Sequence, residues 1–137
     1  MSKTPVEIAL EYFRCQHKGD LAGIEALLAP DFEARTPWGL KTRAEALKAW
    51  GDGMAKPRPN SVQTVRNVEE ISHGGVLIEL TALIELGDEV IEFDVCDVIK
   101  MKDGRIASLH AYFDRTRIEQ HLAKFAANSA APKSETA

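Results

Sequence analysis

The amino-acid sequence predicts an α+β fold in which helices come first and a strongly curved antiparallel sheet follows. Apolar residues recur at helical spacing as far as Ala55, and they alternate with a period of two from Ser61 to Phe113. Only the short turn signals SHGG, LGDE and KDG separate the alternating runs, as expected for neighbouring antiparallel strands. Such a sheet wraps around the first helix and leaves a cone-shaped apolar cavity.

Two helices are predicted before the first extended stretch. The first lies in TPVEIALEYFRCQHKGD, where Thr4 caps the chain just before a proline and Gly19 closes the helix. Asp20 caps a shorter second helix, LAGIEALLAP, which is expected to end at Pro30. The segment DFEARTPWG then follows as an extended stretch with a turn at TPWG.

A third helix precedes the sheet. Thr42 is its predicted cap, and the helix covers TRAEALKAWGDGMA. The predicted strands are Ser61–Ile71, Val76–Leu86, Glu89–Lys102 and Arg105–Phe113. A last helical stretch is expected from about Asp114 to Ala127, so residues 1–127 form a single domain. The small polar residues of 128–137 cannot support packing and predict a disordered tail.

The composition narrows the classes of partner. The chain has 137 residues, a net charge of -4 and a pI of about 5.6, which argue against binding to nucleic acid or to an anionic membrane surface. It contains no long apolar run typical of a signal peptide or a membrane span, so we expect a cytoplasmic protein.

No cofactor motif is present, and no metal or cofactor is expected. The two cysteines, Cys15 and Cys96, lie far apart without metal-ligand spacing, which favours reduced thiols that serve in packing.

One residue breaks the alternation of the third predicted strand. In IEFDVCDVIKM, the apolar face consists of Ile91, Phe93, Val95, Asp97, Ile99 and Met101. A buried carboxyl without a partner takes up a proton, because ionisation in an apolar environment is costly. A protonated Asp97 is a hydrogen-bond donor and thus half of an oxyanion hole. The alternative is that Asp97 caps a backbone group or pairs with a cation at a bulge.

The segment EFDVCDVIKMKDGRIASLHAYFD resembles the last two strands of the bacterial ketosteroid isomerases. These enzymes belong to the nuclear transport factor 2-like superfamily, which also contains the SnoaL-like polyketide cyclases and limonene epoxide hydrolase. EYFRCQHKGDLAGIEALLAPDFEARTPWG resembles the first two helices and first strand of the isomerases, and TRAEALKAW their third helix. The resemblance implies the cone-shaped fold of this superfamily.

The resemblance also implies roles for individual residues. Asp97 falls at the position of the protonated aspartate of the isomerases' oxyanion hole, and Tyr12 at that of its tyrosine partner. Trp50 falls on a supporting tyrosine of the third helix, and Phe113 on an aromatic residue of the pocket. Two donors facing one apolar cavity would hold a dienolate oxygen.

Two positions depart from the related enzymes. The general base of the isomerases is an aspartate just before the Pro-aromatic-Gly turn, where this chain has Thr36, whose hydroxyl has no useful basicity. Ala111 stands where the epoxide hydrolases carry a catalytic aspartate. A base would therefore come from the substrate, from a water molecule or from another side chain such as Glu33.

Two hypotheses follow. In the first, the protein is an isomerase or lyase that binds a hydrophobic cyclic ligand through a carbonyl or phenol-like oxygen held by Tyr12 and Asp97. The predicted substrate-binding residues are Thr36, Trp38, Trp50, Val95, Ile99, Leu109 and Phe113. In the second, the same fold is a ligand-binding or dimerisation module without turnover. An adaptor like nuclear transport factor 2 is a third possibility, but it requires an exposed apolar patch that the sequence does not locate.

Homodimerisation is expected by analogy with the superfamily. The predicted contact is the outer face of the sheet, where polar and apolar residues are mixed. The residues of this face are Glu79, Thr81, Leu83, Cys96, Val98, His110 and Tyr112.

Overall fold

A computed structural model describes residues 3–56 and 61–123. Its helices are α1 (Pro5–Lys18), α2 (Leu21–Leu27) and α3 (Arg43–Met54), with a 3-10 turn at Ser72–Gly74. Its strands are β1 (Leu28–Thr36), β2 (Gly39–Thr42), β3 (Val62–Ile71), β4 (Gly75–Leu86), β5 (Glu89–Lys102) and β6 (Arg105–Tyr112). Residues 115–123 are also helical, and this segment is called α4. The predicted α+β order is confirmed.

The helix ends follow the chemistry expected from the sequence. Thr4 and Thr42 each form a capping box, in which the threonine and the Glu three residues later satisfy each other's backbone N–H groups. Gly19 ends α1 in the left-handed conformation with φ of 74°, which costs glycine no steric strain. The first and third helices are therefore predicted correctly.

The predicted end of the second helix is wrong. Helix α2 ends at Leu27, and Pro30 lies within β1. Strand β1 runs parallel to β6, and its register shifts between Leu28 and Glu33. A proline cannot donate a hydrogen bond to a sheet ladder, and this irregular stretch tolerates one. The short strand β2, which pairs with the end of β1, was not predicted from the sequence.

The strands form one mixed sheet in the order β2-β1-β6-β5-β4-β3. The predicted antiparallel meander from β3 to β6 is confirmed, whereas β1 joins β6 in parallel. One end of the sheet therefore gathers the last residues of β1, β4 and β6 and the first residues of β3 and β5. This end is called the open end, because a cavity described below opens there.

The core lies between the helices and one face of the sheet. The period-two pattern predicted for β4 is confirmed, since Val76, Ile78, Leu80 and Ala82 are all buried. From the helices, Ile8, Ala9, Tyr12 and Ile24 pack into the same core cluster. Burying such side chains is the main source of stability of a domain of this size.

Helix α4 lies at the open end of the sheet. Ile118 of α4 is buried, and Arg115 donates a hydrogen bond of 2.9 Å from Nη1 to the carbonyl oxygen of Pro37. On the other side, Nε2 of His121 lies 3.8 Å from Oε2 of Glu89 at the start of β5. The predicted last helix is confirmed for 115–123, while its remainder and the predicted tail at 128–137 lie outside the described residues.

None of the helices in the described part of the chain is both long and apolar enough to cross a bilayer.

Candidate ligand-binding site

Asp97 lies on the buried face of β5, as the alternation predicted. It pairs with Ile78 of β4 on one side and with Ala111 of β6 on the other, and only 6% of its surface is exposed. Its Oδ1 atom is buried and receives no hydrogen bond, and no cation within 3–56 or 61–123 forms an ion pair with it. For these residues, the alternative of a capping or salt-bridged aspartate is wrong.

The environment of Asp97 favours its neutral form. Burial raises the pKa of this carboxyl from 3.8 to about 7, because desolvation penalises the charged form. Tyr12 is 3% exposed, and its pKa is raised first by burial and then by the nearby charge of Asp97. The two side chains are therefore electrostatic neighbours, and Tyr12 keeps its proton at any physiological pH.

An aromatic cluster fixes the ring of Tyr12. The ring of Phe13 meets it edge-on at 5.0 Å between centroids, and the ring of Trp50 lies at 5.6 Å. Trp50 also contacts Phe32 at 6.0 Å. These distances are typical of favourable aromatic pairs, which hold the phenol in one orientation.

A cavity of about 490 Å³ opens at the open end of the sheet, between the last turns of α1 and α3 and the strands β3 and β4. The large apolar side chains of its wall are Phe13, Trp50, Met54, Val62, Leu83 and Ile84. Trp50 belongs both to this wall and to the cluster around Tyr12. Phe13 does the same, whereas Tyr12 and Asp97 themselves do not line the cavity.

The family follows from the sequence. Residues 9–109 match the family model of the SnoaL-like domain. The chain belongs to the SnoaL-like family. No curated protein sequence matches the chain.

Solved structures of the superfamily share the fold of this SnoaL-like domain. An LEH-like epoxide hydrolase of M. tuberculosis is 18% identical, with 93% of this chain and 96% of that chain covered and a TM-score of 0.71. TerC, co-crystallised with polyporic acid, is 18% identical over 87% of this chain and 98% of that chain, with a TM-score of 0.75. An NTF2-like protein of unknown function from Cytophaga hutchinsonii is 16% identical over 86% and 96%, with a TM-score of 0.70. At these identities the likeness establishes the fold.

Thr36 of this SnoaL-like domain is engaged in a turn. Its Oγ1 accepts a hydrogen bond of 3.1 Å from the backbone N–H of Trp38, and its side chain is half-buried. Glu33, the carboxylate named as a possible base, is exposed. The hydroxyl of Thr36 is therefore engaged in the turn, and it has no useful basicity for proton abstraction.

The other predicted substrate-binding residues fall into two groups. Ile99 and Leu109 are buried in the core, and Val95 is half-buried. Trp38 is 50% exposed, and its ring lies 5.2 Å from that of Phe113 between centroids, tilted by 59°. Its Nε1 donates a hydrogen bond of 3.3 Å to Oε1 of Glu119 in α4. Among the residues predicted to bind substrate, the 490 Å³ cavity includes Trp50.

Several cavity residues were not singled out from the sequence. Gln16, His17 and Lys18 come from the last turn of α1, and Lys56 follows α3. In the sequence, these polar and basic residues look like those of an ordinary solvent-exposed helix end. They come together in one cavity only because the ends of α1 and α3 meet β3 and β4 in the fold. The described residues contain no cluster of His, Cys, Asp and Glu suited to a metal ion.

Proposed function

We propose that this domain binds a hydrophobic, ring-containing small molecule through a carbonyl or phenol-like oxygen that accepts hydrogen bonds from Tyr12 and neutral Asp97. One observation carries the proposal: a buried carboxyl with an unpartnered oxygen lies beside a buried phenol. Tyr12 keeps its proton near neutral pH, whereas Asp97, with a pKa of about 7, is protonated in about half of the molecules at that pH and in most of them at lower pH; each protonated group is a donor. A ligand oxygen that develops negative charge would be stabilised by them in an environment of low dielectric constant.

The cavity provides a route for such a ligand. Its volume of about 490 Å³ lies within the range of roughly 300–1,000 Å³ typical of small-molecule sites. Trp50 lines the cavity and contacts Tyr12, and a change of its rotamer would open a path from the cavity to the phenol. The ring system of the ligand would then rest against the apolar wall with its oxygen directed inward.

The chemistry that fits this arrangement is isomerase or lyase chemistry through an enolate, like that of the steroid isomerases that the chain resembles. The two donors would stabilise the enolate oxygen, and the base would be supplied by the ligand, by water or by Glu33. The engaged hydroxyl of Thr36 favours a second candidate function, ligand binding without turnover.

Binding of the fluorescent phenol equilenin tests the paired donors. Tyr12→Phe and Asp97→Asn should each weaken binding about tenfold, because a hydrogen bond to a charged oxygen is worth roughly 1.5 kcal/mol or more. Tyr112→Phe is the matched control, since Tyr112 is 56% exposed and should leave the affinity unchanged. Affinities that are equal in all four proteins would contradict the assignment.

Installing the missing base tests for catalytic competence. Thr36→Asp keeps an oxygen that accepts the N–H of Trp38 and adds a carboxylate, and we expect it to raise turnover of a β,γ-unsaturated ketosteroid by about 10²-fold or more. Thr36→Asn is the control of similar shape without basicity. Asp97→Ala in the Thr36→Asp background should abolish the gain. Tight equilenin binding with no turnover in any variant would favour the non-catalytic function.

We also propose that the outer face of the sheet forms the contact of a homodimer. On this face, Arg66 donates to Thr81, and Thr81 donates to Asp94, at 3.1 and 3.2 Å. The half-exposed Tyr112 adds apolar surface beside this polar row. Sedimentation equilibrium should give twice the monomer mass of 15.1 kDa, and Tyr112→Asp should shift the equilibrium to monomer. A monomer at all concentrations would exclude the contact.

A further inference from the structure

The cavity at the open end carries positive charge at its rim. The described residues that line it include the basic side chains His17, Lys18 and Lys56 and no carboxylate. The chain as a whole has a net charge of -4, so this rim is opposite in sign to the average surface. Clustered charge of one sign around a cavity with apolar walls favours a ligand of the opposite sign.

Gln16 adds a second, independent feature to the same cavity. It lines the cavity, and its Oε1 is buried without a hydrogen-bond partner among the described residues. A buried polar atom left unpaired costs free energy, so a polar occupant beside it is stabilising. Rotation of the amide about its last torsion also presents the NH₂ group, which donates two hydrogen bonds.

We propose that the cavity selects a flat apolar ring compound that bears a carboxylate. The ring would pack against Trp50 and Met54, and the carboxylate would meet Lys18, Lys56 and the amide of Gln16. This inference deepens the proposed function and rests on it, because the opposite end of the ligand would carry the oxygen that reaches Tyr12 and Asp97. The ligand class is therefore a cyclic ketone or phenol with an acidic substituent at its outer end.

A pair of probes of nearly equal shape tests the selection for charge. The binding of 2-naphthoate and of neutral 2-naphthamide would be measured by calorimetry at low salt. We expect naphthoate to bind about three- to tenfold more tightly than naphthamide, because two exposed ion pairs of ordinary strength together account for a ratio of this size. Backbone amide shifts in ¹H–¹⁵N spectra should locate both probes at residues 16–19 and 61–63.

Variants identify the residues responsible. In the double variant Lys18→Gln, Lys56→Gln the preference for naphthoate should fall to less than about twofold, whereas Lys100→Gln, an exposed lysine of β5 away from the lining, should retain it. Gln16→Met removes the amide at similar length and should weaken naphthoate binding about threefold with little change for a purely apolar ring.

Each outcome bears on a defined claim. Equal affinities for the two probes in the wild type, a preference that survives loss of both lysines, or binding of neither probe would overturn the carboxylate selection. Equilenin binding that depends on Tyr12 and Asp97 would leave the proposed function standing in those cases. The opposite result is a preference for naphthoate that depends on the two lysines, together with equilenin binding that Tyr12→Phe and Asp97→Asn do not change. It would support a ligand with an acidic group and would contradict only the assignment of Tyr12 and Asp97 as donors.

Discussion

Replacing the buried Asp97 by asparagine should remove a loss of stability that the wild type shows as the pH rises from 4 to 8. The pKa of this carboxyl is 3.8 in its ordinary state and about 7 in the folded protein. Between these values the folded chain holds a proton that the unfolded chain has released, so rising pH destabilises the fold. The stabilisation by the neutral acid is present below pH 4 and is lost once the pH passes about 7.

The size of the effect follows from the same two values. A difference of one pKa unit corresponds to about 1.4 kcal/mol, so the change from 3.8 to about 7 amounts to roughly 4 kcal/mol. Asparagine does not titrate. The free energy of unfolding of Asp97→Asn minus that of the wild type should therefore increase by roughly 4 kcal/mol from pH 4 to pH 8, because all other titrations are common to both proteins.

Urea denaturation followed by tryptophan fluorescence at several pH values provides the assay. Glu92→Gln, on the exposed face of the same strand and outside the residues named for the dimer contact, is the matched control, since its side chain is exposed. A difference between Asp97→Asn and wild type that stays constant within about 1 kcal/mol over this range would refute a buried, neutral Asp97.

Three further substitutions test the packing and the helix ends. Trp50→Ala should destabilise the fold by about 3 kcal/mol, because it leaves a void beside Tyr12, whereas Trp50→Phe should cost less; equal urea midpoints for both would argue against this packing. Thr42→Ala should cost about 1 kcal/mol through loss of the 3.2 Å bond from the N–H of Glu45, and Thr42→Ser should restore most of it, as measured by thermal unfolding. Gly19→Ala should cost about 1 kcal/mol because its φ is 74°; an unchanged unfolding temperature would exclude a left-handed cap in solution.

The fold was largely predictable because local chemistry and periodicity agree. The strand alternation specifies which face of β4 and β5 is buried, and the short turn between Lys102 and Arg105 places β6 next to β5. The parallel pairing of β1 with β6 could not be predicted, since it joins residues that are more than seventy positions apart. The same long-range contact allows Pro30 to lie within a strand, where local propensity would end a helix.

The candidate site was predictable only in its buried part. Asp97 stands out from sequence because it breaks an apolar alternation, and the resemblance to the isomerases pairs it with Tyr12. The exposed position of Trp38 depends on its contacts with Phe113 and Glu119, the latter 81 residues away in the chain. The basic rim of the cavity depends likewise on the ends of α1 and α3, which meet only in the folded chain. Such features follow from tertiary packing and leave no local pattern.

The protonation state of Asp97 is the central claim, and nuclear magnetic resonance measures it directly. The ¹³Cγ shift of selectively labelled Asp97 would be followed from pH 3 to pH 9 in the folded protein. A single titration with a midpoint near 7 is the predicted result, in accord with a carboxyl buried without a partner. A midpoint near 4 would show an ionised, solvated aspartate and would contradict the paired-donor site.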